Sequence, residues 1–172
     1  MDITQSHLTM QRLYTAFLQQ DPFRYANILT HAIRQGAVGF SEVINEHVLG
    51  DDWLDFTHQA MAQYWATRRG IVYVVTNPVH YDCFKVGKST QSMTQRLKQL
   101  NNEAVVGTFI PVHHWAVHDC HFLERDAHRV LRPYHVQKEF FKEKYSFICE
   151  KITQVIADDT LRFSAVGLGP SC

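Results

Sequence analysis

"IVYVVTNPVHYDCFKVGKSTQSMTQRLKQL" runs from Ile71 to Leu100, and its two changes of hydrophobic period decide the fold. Residues 71–76 are β-rich, and strict alternation puts Ile71, Tyr73 and Val75 on one face. A turn around Asn77-Pro78 leads into "CFKVG", the pattern of a hairpin with a long connection. After "GKSTQS" the period lengthens: Met93, Leu97 and Leu100 recur at helical spacing, with Arg96 beside the buried stripe. The stretch also sets Tyr73, Lys85, Lys88 and Arg96 among ordinary strand and helix formers, and those four side chains need a reason beyond packing.

Downstream, "TFIPVHHWAV" reads as a third strand. Asp119 suits the N-cap of a helix over "CHFLERDAHRVL", which Pro133 stops. "EFF" follows a short loop, and "KYSFICEKITQVI" makes another helix. The order β-β-α-β-α-α predicts a small α+β domain over residues 70–157. Residues 158–172 are expected as a tail in which "LRFSAVGLGPSC" adds one strand. Upstream, residues 1–69 read as a helical accessory module. "TQSHLTMQRLYTAFLQQ" gathers Leu8, Leu13, Phe17 and Leu18 near one face, "DPFRYANILTHAIRQG" starts at Asp-Pro and stops at Gly36, and "DDWLDFTHQAMAQYWATRR" opens on acidic residues. A short helix is expected over 41–49. "AIRQGAVGFSEVINEHV" has the helix, glycine, helix order of a DNA-reading turn, but any small bundle has it too, and the bundle is the reading adopted.

A chain of 172 residues with 45% hydrophobic content fills a real core. Lys plus Arg equals Asp plus Glu at 17 each, which argues against a protein that coats nucleic acid by charge alone. The balance is uneven, with five basic and seven acidic side chains in residues 1–69 and twelve and ten beyond. A polyanion site is therefore expected in the second part, and it should be local. No run of about 18 apolar residues and no leader-like N-terminus occurs, so no membrane partner is expected and the expected compartment is the cytoplasm. Cys83, Cys120, Cys149 and Cys172 are scattered without a C-x-x-C pair, which suits a reducing compartment.

At this point the residues resemble a known family, the GIY-YIG nuclease superfamily, in its phage-type branch with lysine in the second motif. "IVYVV" resembles the first motif, "FKVGKST" the second, "TQRLKQL" the arginine helix, and "LERDAHRVL" with "YHVQKEFF" the histidine and glutamate segments. The resemblance covers roughly residues 70–145. It implies a small three-stranded sheet flanked by helices and metal-dependent hydrolysis of DNA phosphodiesters, with one Mg2+ or Mn2+ on a single glutamate. By resemblance Tyr73, Lys85, Arg96 and His128 take the catalytic positions, Lys88 and His135 contact substrate phosphate, and Glu139 holds the metal. Lys85 stands where many members carry a second tyrosine, which leaves the proton acceptor open. DNA is the implied partner, with a homodimer or protein partner through the N-terminal helices. The same domain serves phage genome processing, restriction, mobile elements and antibacterial toxins.

Those residue types suit the chemistry. Attack of water on a phosphodiester needs a proton acceptor, neutralisation of charge on the phosphoryl oxygens and stabilisation of the departing oxygen. A phenol, which loses its proton near pH 10 (about), is a poor base alone, but a nearby ammonium favours the phenolate, and Lys85 or Lys88 could supply it. Arg96 offers planar, permanently charged donors to phosphate. Glu139 offers a hard oxygen ligand, its backbone anchored by Phe140 and Phe141.

Each residue also has a plainer use. Tyr73 suits sheet packing, Arg96 a solvated helix edge, and Glu139 an ion pair with Lys138 or Lys142. "GKST" lacks the first glycine of a phosphate loop, since Asp82 stands there. The crowding of His113, His114, His118 and His121 suggests zinc, but His114 and His118 on one strand would lie about 13 Å apart, too far to share a metal. His128 fits helix packing as well as phosphate contact. The alternative function is a non-catalytic nucleic-acid or protein binding module on the same fold.

Overall fold

In the computed structural model, residues 3–36, 50–80, 82–102 and 106–169 are described. The chain forms two compact units, residues 1–67 with 159–172, and residues 68–158. No helix among the described residues is long and apolar enough to cross a membrane.

The first unit contains α1 (Ile3–Leu18), α2 (Pro22–Arg34) and most of α3 (Gly50–Arg68). Asp21 caps α2 by accepting from the Arg24 N–H at 3.0 Å, with Pro22 in the first turn, where its missing donor costs nothing. Gly36, at φ 72°, follows the helix end. The short helix expected over 41–49, and most of the stretch weighed as a DNA-reading turn, lie outside the described residues. The core is aromatic, with Tyr25, Trp53, Phe56, Tyr64 and Trp65 packed around Leu13 and Leu29.

The C-terminal segment corrects an expectation. No strand forms over 161–164, because the last helix, α6 (Tyr145–Ser164), continues through it. Phe163 and Leu168 are buried in the aromatic core of the first unit. Asp159 takes two hydrogen bonds from Arg34 at 2.9 and 3.0 Å, and the Arg34 guanidinium lies 5.2 Å from the Phe163 ring centre. Helix lets Phe163 reach a core that its sequence neighbours do not reveal.

The second unit is α+β. Its elements are β1 (Gly70–Thr76), β2 (Cys83–Ser89), α4 (Met93–Asn102), β3 (Ile110–Val117), α5 (Cys120–Leu131), a 3-10 turn (Arg132–Tyr134), β4 (His135–Gln137), β5 (Phe140–Lys142) and the start of α6. Asp119 caps α5 by accepting from the Phe122 N–H at 3.0 Å, as its position predicts. The antiparallel sheet has five strands in the order β3-β1-β2-β5-β4, rather than three. β1, β2 and β3 form its centre and one edge as expected. The addition is the β4–β5 hairpin, paired to β2 through Cys83–Lys142, Phe84–Phe141 and Lys85–Phe140.

Cross-strand register sorts the side chains. Tyr73 lies opposite Gly87, and Val75 opposite Lys85, on a face that Leu100 of α4 and Phe109 cover beside Ile71. Val72, Val74, Val86 and Phe141 point the other way, into a core shared with Leu123, Ala127 and Leu131 of α5 and Ile148 and Ile152 of α6.

Candidate active site

Tyr73, Arg96 and Lys85 come together on the α4 face of the sheet. The Tyr73 ring is buried at 1% exposure, and its hydroxyl oxygen accepts from Arg96 Nε at 3.1 Å. Opposite it on β2 stands Gly87, where an added Cβ would lie 2.6 Å from that hydroxyl. Glycine is required here because the phenol fills the space a side chain would take. Arg96 is itself held: its Nη1 donates to Gln99 at 3.3 Å, and Gln99 donates to Gln91 at 2.8 Å. A chain of polar contacts from the loop after β2 thus fixes the guanidinium over the phenol.

Lys85, diagonal to Tyr73 across the β1–β2 ladder, gives its ammonium to Glu139 Oε2. Glu139 lies between β4 and β5, and its carbonyl accepts from the Val86 N–H at 3.0 Å, so β2 holds its backbone. Its side chain is 42% exposed. Burial raises the Glu139 carboxyl, but the hydrogen bond and charge of Lys85 more than offset that, aided by the charges of His128 and Lys88, and the carboxyl sits below its ordinary range. The expected alternatives Lys138 and Lys142 are not its partners in this structure.

The remaining expected residues lie on the opposite face. Lys88 faces α5 and donates to Glu124 at 2.9 Å, so of the two lysines weighed as Tyr73's neighbour only Lys85 shares its face. His128 donates from Nε2 to the Val86 carbonyl at 2.9 Å and packs edge-on against Phe141 at 5.1 Å. Because a carbonyl only accepts, that nitrogen carries the proton and Nδ1 is the one left for another partner. His135 donates to the Lys138 carbonyl at 2.8 Å and meets Phe141 at 5.7 Å. The two histidines therefore bracket one phenylalanine and brace the β4–β5 hairpin. Their rings stand away from Tyr73, although His128 still acts on Glu139 by charge.

Three contributors escaped the sequence reading. Gly87 could have been found from the alternation, since it directly faces Tyr73 once β1 and β2 are paired. Glu124 is a buried carboxylate in the apolar stripe Cys120, Leu123, Ala127 and Leu131, and a charge in such a stripe announces a buried partner. Gln99 carries no such signal. Of the crowded histidines, His118 falls just past the end of β3 and is buried, so it does not share a strand with His114.

The donor set bears on a metal. Among the described residues, no group of three or more His, Cys, Asp or Glu side chains is arranged to enclose an ion. A half-exposed carboxylate with one oxygen on Lys85 and no hydrogen-bond partner for Oε1 among the described residues fits a hard cation that keeps most of its water, as Mg2+ does.

No curated protein and no solved structure matches the chain. Residues 70–157 match the T5orf172 domain, a phage-associated domain with a GIY-YIG/HNH-like endonuclease relationship, compatible with action on DNA. That match covers the whole five-stranded sheet, α4, α5 and the first part of α6, more than half of the chain, and it contains Tyr73, Lys85, Arg96 and Glu139. The chain therefore belongs to the T5orf172 domain family.

Proposed function

We propose that the chain is a metal-dependent GIY-YIG-type endonuclease that hydrolyses phosphodiester bonds in DNA. The observation that carries this reading is the contact of Arg96 with Tyr73: a guanidinium donates into a buried phenol oxygen above a glycine, on the face that also holds Lys85. A tyrosine serving only as sheet packing needs no cation at its oxygen, and a solvated helix-edge arginine needs no phenol.

Each group then has a task. Tyr73 accepts from Arg96, so its own O–H is free to exchange a proton with the attacking water or the departing oxygen. Arg96 spends Nε and Nη1 on Tyr73 and Gln99, and its remaining N–H groups serve a phosphoryl oxygen. Lys85 holds a second positive charge on the same face, where negative charge develops in the transition state. Glu139 would hold the cation through Oε1, with Lys85 fixing the other oxygen. When bound, Mg2+ or Mn2+ would neutralise the scissile phosphate and acidify a coordinated water. Glu124 is a second carboxylate that a β2 ammonium holds, so it is the competing ligand.

One observation favours the non-catalytic binding module: Tyr73 is almost wholly covered, so substrate must move Arg96 to reach it. Supercoiled plasmid with Mg2+, Mn2+ or chelator separates the two. The nuclease reading expects metal-dependent nicking that Glu139→Gln abolishes while melting temperature and DNA affinity are kept. Nicking lost in Glu124→Gln and kept in Glu139→Gln would move the metal to α5. A parent that binds DNA and never nicks it would establish the binding module.

A further inference from the structure

Helix α5 has two unlike sides. Cys120, Leu123, Glu124, Ala127 and Leu131 face the sheet, whereas His121, Arg125 and Arg129, followed by Arg132 at the start of the 3-10 turn, recur at i, i+4, i+8 and i+11 and are exposed. Such spacing keeps them on one stripe. Asp126, beside that stripe, is bonded to Arg129 at 2.6 and 3.2 Å. Arg125 and Arg132 have no carboxylate partner among the described residues, and Arg125 instead lies 5.3 Å over the Phe122 ring.

We propose that this outer stripe, which lies across the sheet from Tyr73 and Arg96, receives the sugar-phosphate backbone of a DNA duplex as a contact separate from the candidate active site. The inference rests on the reading of the chain as one that acts on DNA. From Arg125 to Arg132 the helix rises about 10 Å, the axial length over which one strand of a duplex presents about three phosphates. Arg125 and Arg132 span that length, with Arg129, already paired to Asp126, between them. Exposed guanidiniums without an opposing carboxylate attract phosphate whatever the base sequence, so the stripe positions DNA without reading it. The occupant is a duplex and not a splayed single strand, because single-strand grooves add aromatic platforms for the bases. Phe122, the aromatic ring that Arg125 contacts, is capped by that guanidinium. A near-neutral chain with 17 basic and 17 acidic side chains can hold a polyanion only where cations stand exposed without carboxylate partners, as Arg125 and Arg132 do among the described residues.

The test is anisotropy binding of a labelled mixed-sequence duplex in chelator, across a potassium chloride titration, with the full chain. Arg125→Gln/Arg132→Gln should flatten the dependence of log affinity on log salt by about two units and weaken binding on the order of sixtyfold at about 0.1 M salt. Melting temperature should stay at the parent's value, since neither side chain is buried. Arg12→Gln/Arg162→Gln removes the same charge from the first unit and should change neither quantity. The proposal falls if the α5 double variant binds like the parent, if the control double loses as much, if single strands or RNA duplexes bind the parent as tightly as DNA duplex, or if the parent binds no duplex. Binding is read without metal, which keeps the two ideas apart. A parent that binds through the stripe and never nicks plasmid retains the stripe and loses the nuclease, and a nicking parent whose affinity ignores Arg125 and Arg132 does the reverse.

Discussion

Tyr25 and Tyr73 are buried alike, at 0% and 1% exposure, yet the helical unit and the sheet unit treat the phenol differently. Tyr25 meets the Thr57 hydroxyl at 2.7 Å, with Trp53 and Phe56 edge-on to its ring. Burial pushes that phenol up to about 12, against the smaller opposing pull of its hydrogen bond with Thr57. A neutral partner in an aromatic core keeps the proton in place. Tyr73 instead has a guanidinium donating to its oxygen and a glycine beneath it. Burial alone does not separate a structural tyrosine from a candidate catalyst, and the charge of the partner does. The ion pairs repeat the contrast. Arg34–Asp159 is closed off from water, whereas Lys85–Glu139 leaves its carboxylate half open, where it can exchange one cation for another.

The strongest way to break this comparison is to remove each hydroxyl. Tyr73→Phe should lower plasmid nicking by roughly a hundred- to ten-thousandfold, the range for loss of a proton-transfer group, with little change in melting temperature. An active Tyr73→Phe would reduce Tyr73 to packing. Gly87→Ala comes next: its methyl would collide with the Tyr73 hydroxyl, so overpacking should cost about 1–3 kcal/mol in urea unfolding. Nicking should fall with it although no charged group is touched. Tyr25→Phe should cost about 1 kcal/mol of stability, the worth of an ordinary hydrogen bond, and leave nicking at the parent's rate. Comparable losses of nicking from Tyr25→Phe and Tyr73→Phe would end the distinction.

The smallest effect concerns pH. The folded Glu139 carboxyl lies below its unfolded value, so the stabilisation it draws from Lys85 is fully present above the ordinary glutamate range near about 4.3. It is lost as pH falls through the lowered value. Solvent screening of a carboxylate 42% exposed limits the contribution to less than about 1 kcal/mol. Thermal melts across that acid range should show a slightly shallower fall for Glu139→Gln than for the parent. Identical acid limbs would mean that the pair contributes nothing to stability.

Local features were legible in the sequence because their causes are local. The β1 alternation, the helix start at Asp21-Pro22, the N-cap Asp119, and the helical spacing of Met93, Leu97 and Leu100 each lie within a few residues and recur in the fold. The β4–β5 hairpin was not legible, since strands of three residues carry no period and pair only because β2 offers an edge. The site was legible in its residue types and much less in its partnerships. Lys85 finds Glu139 across 54 positions of chain, and Lys88 finds Glu124 across 36, distances at which no sequence spacing speaks. The strand expected after Asp158 failed for the same reason, because Phe163 takes its conformation from a core built by residues more than ninety positions earlier.

That last arrangement has a consequence for how the chain is made. A protein emerging from the ribosome ordinarily completes its N-terminal domain first. Here the helical unit waits for Asp159, Phe163 and Leu168, which supply the partner of Arg34 and part of the aromatic core, while the sheet unit needs nothing beyond residue 158. Vectorial synthesis thus reverses the order of maturation: the unit encoded second is the first whose residues are all in hand, and the N-terminal helices persist as an unfinished bundle until Leu168 has emerged.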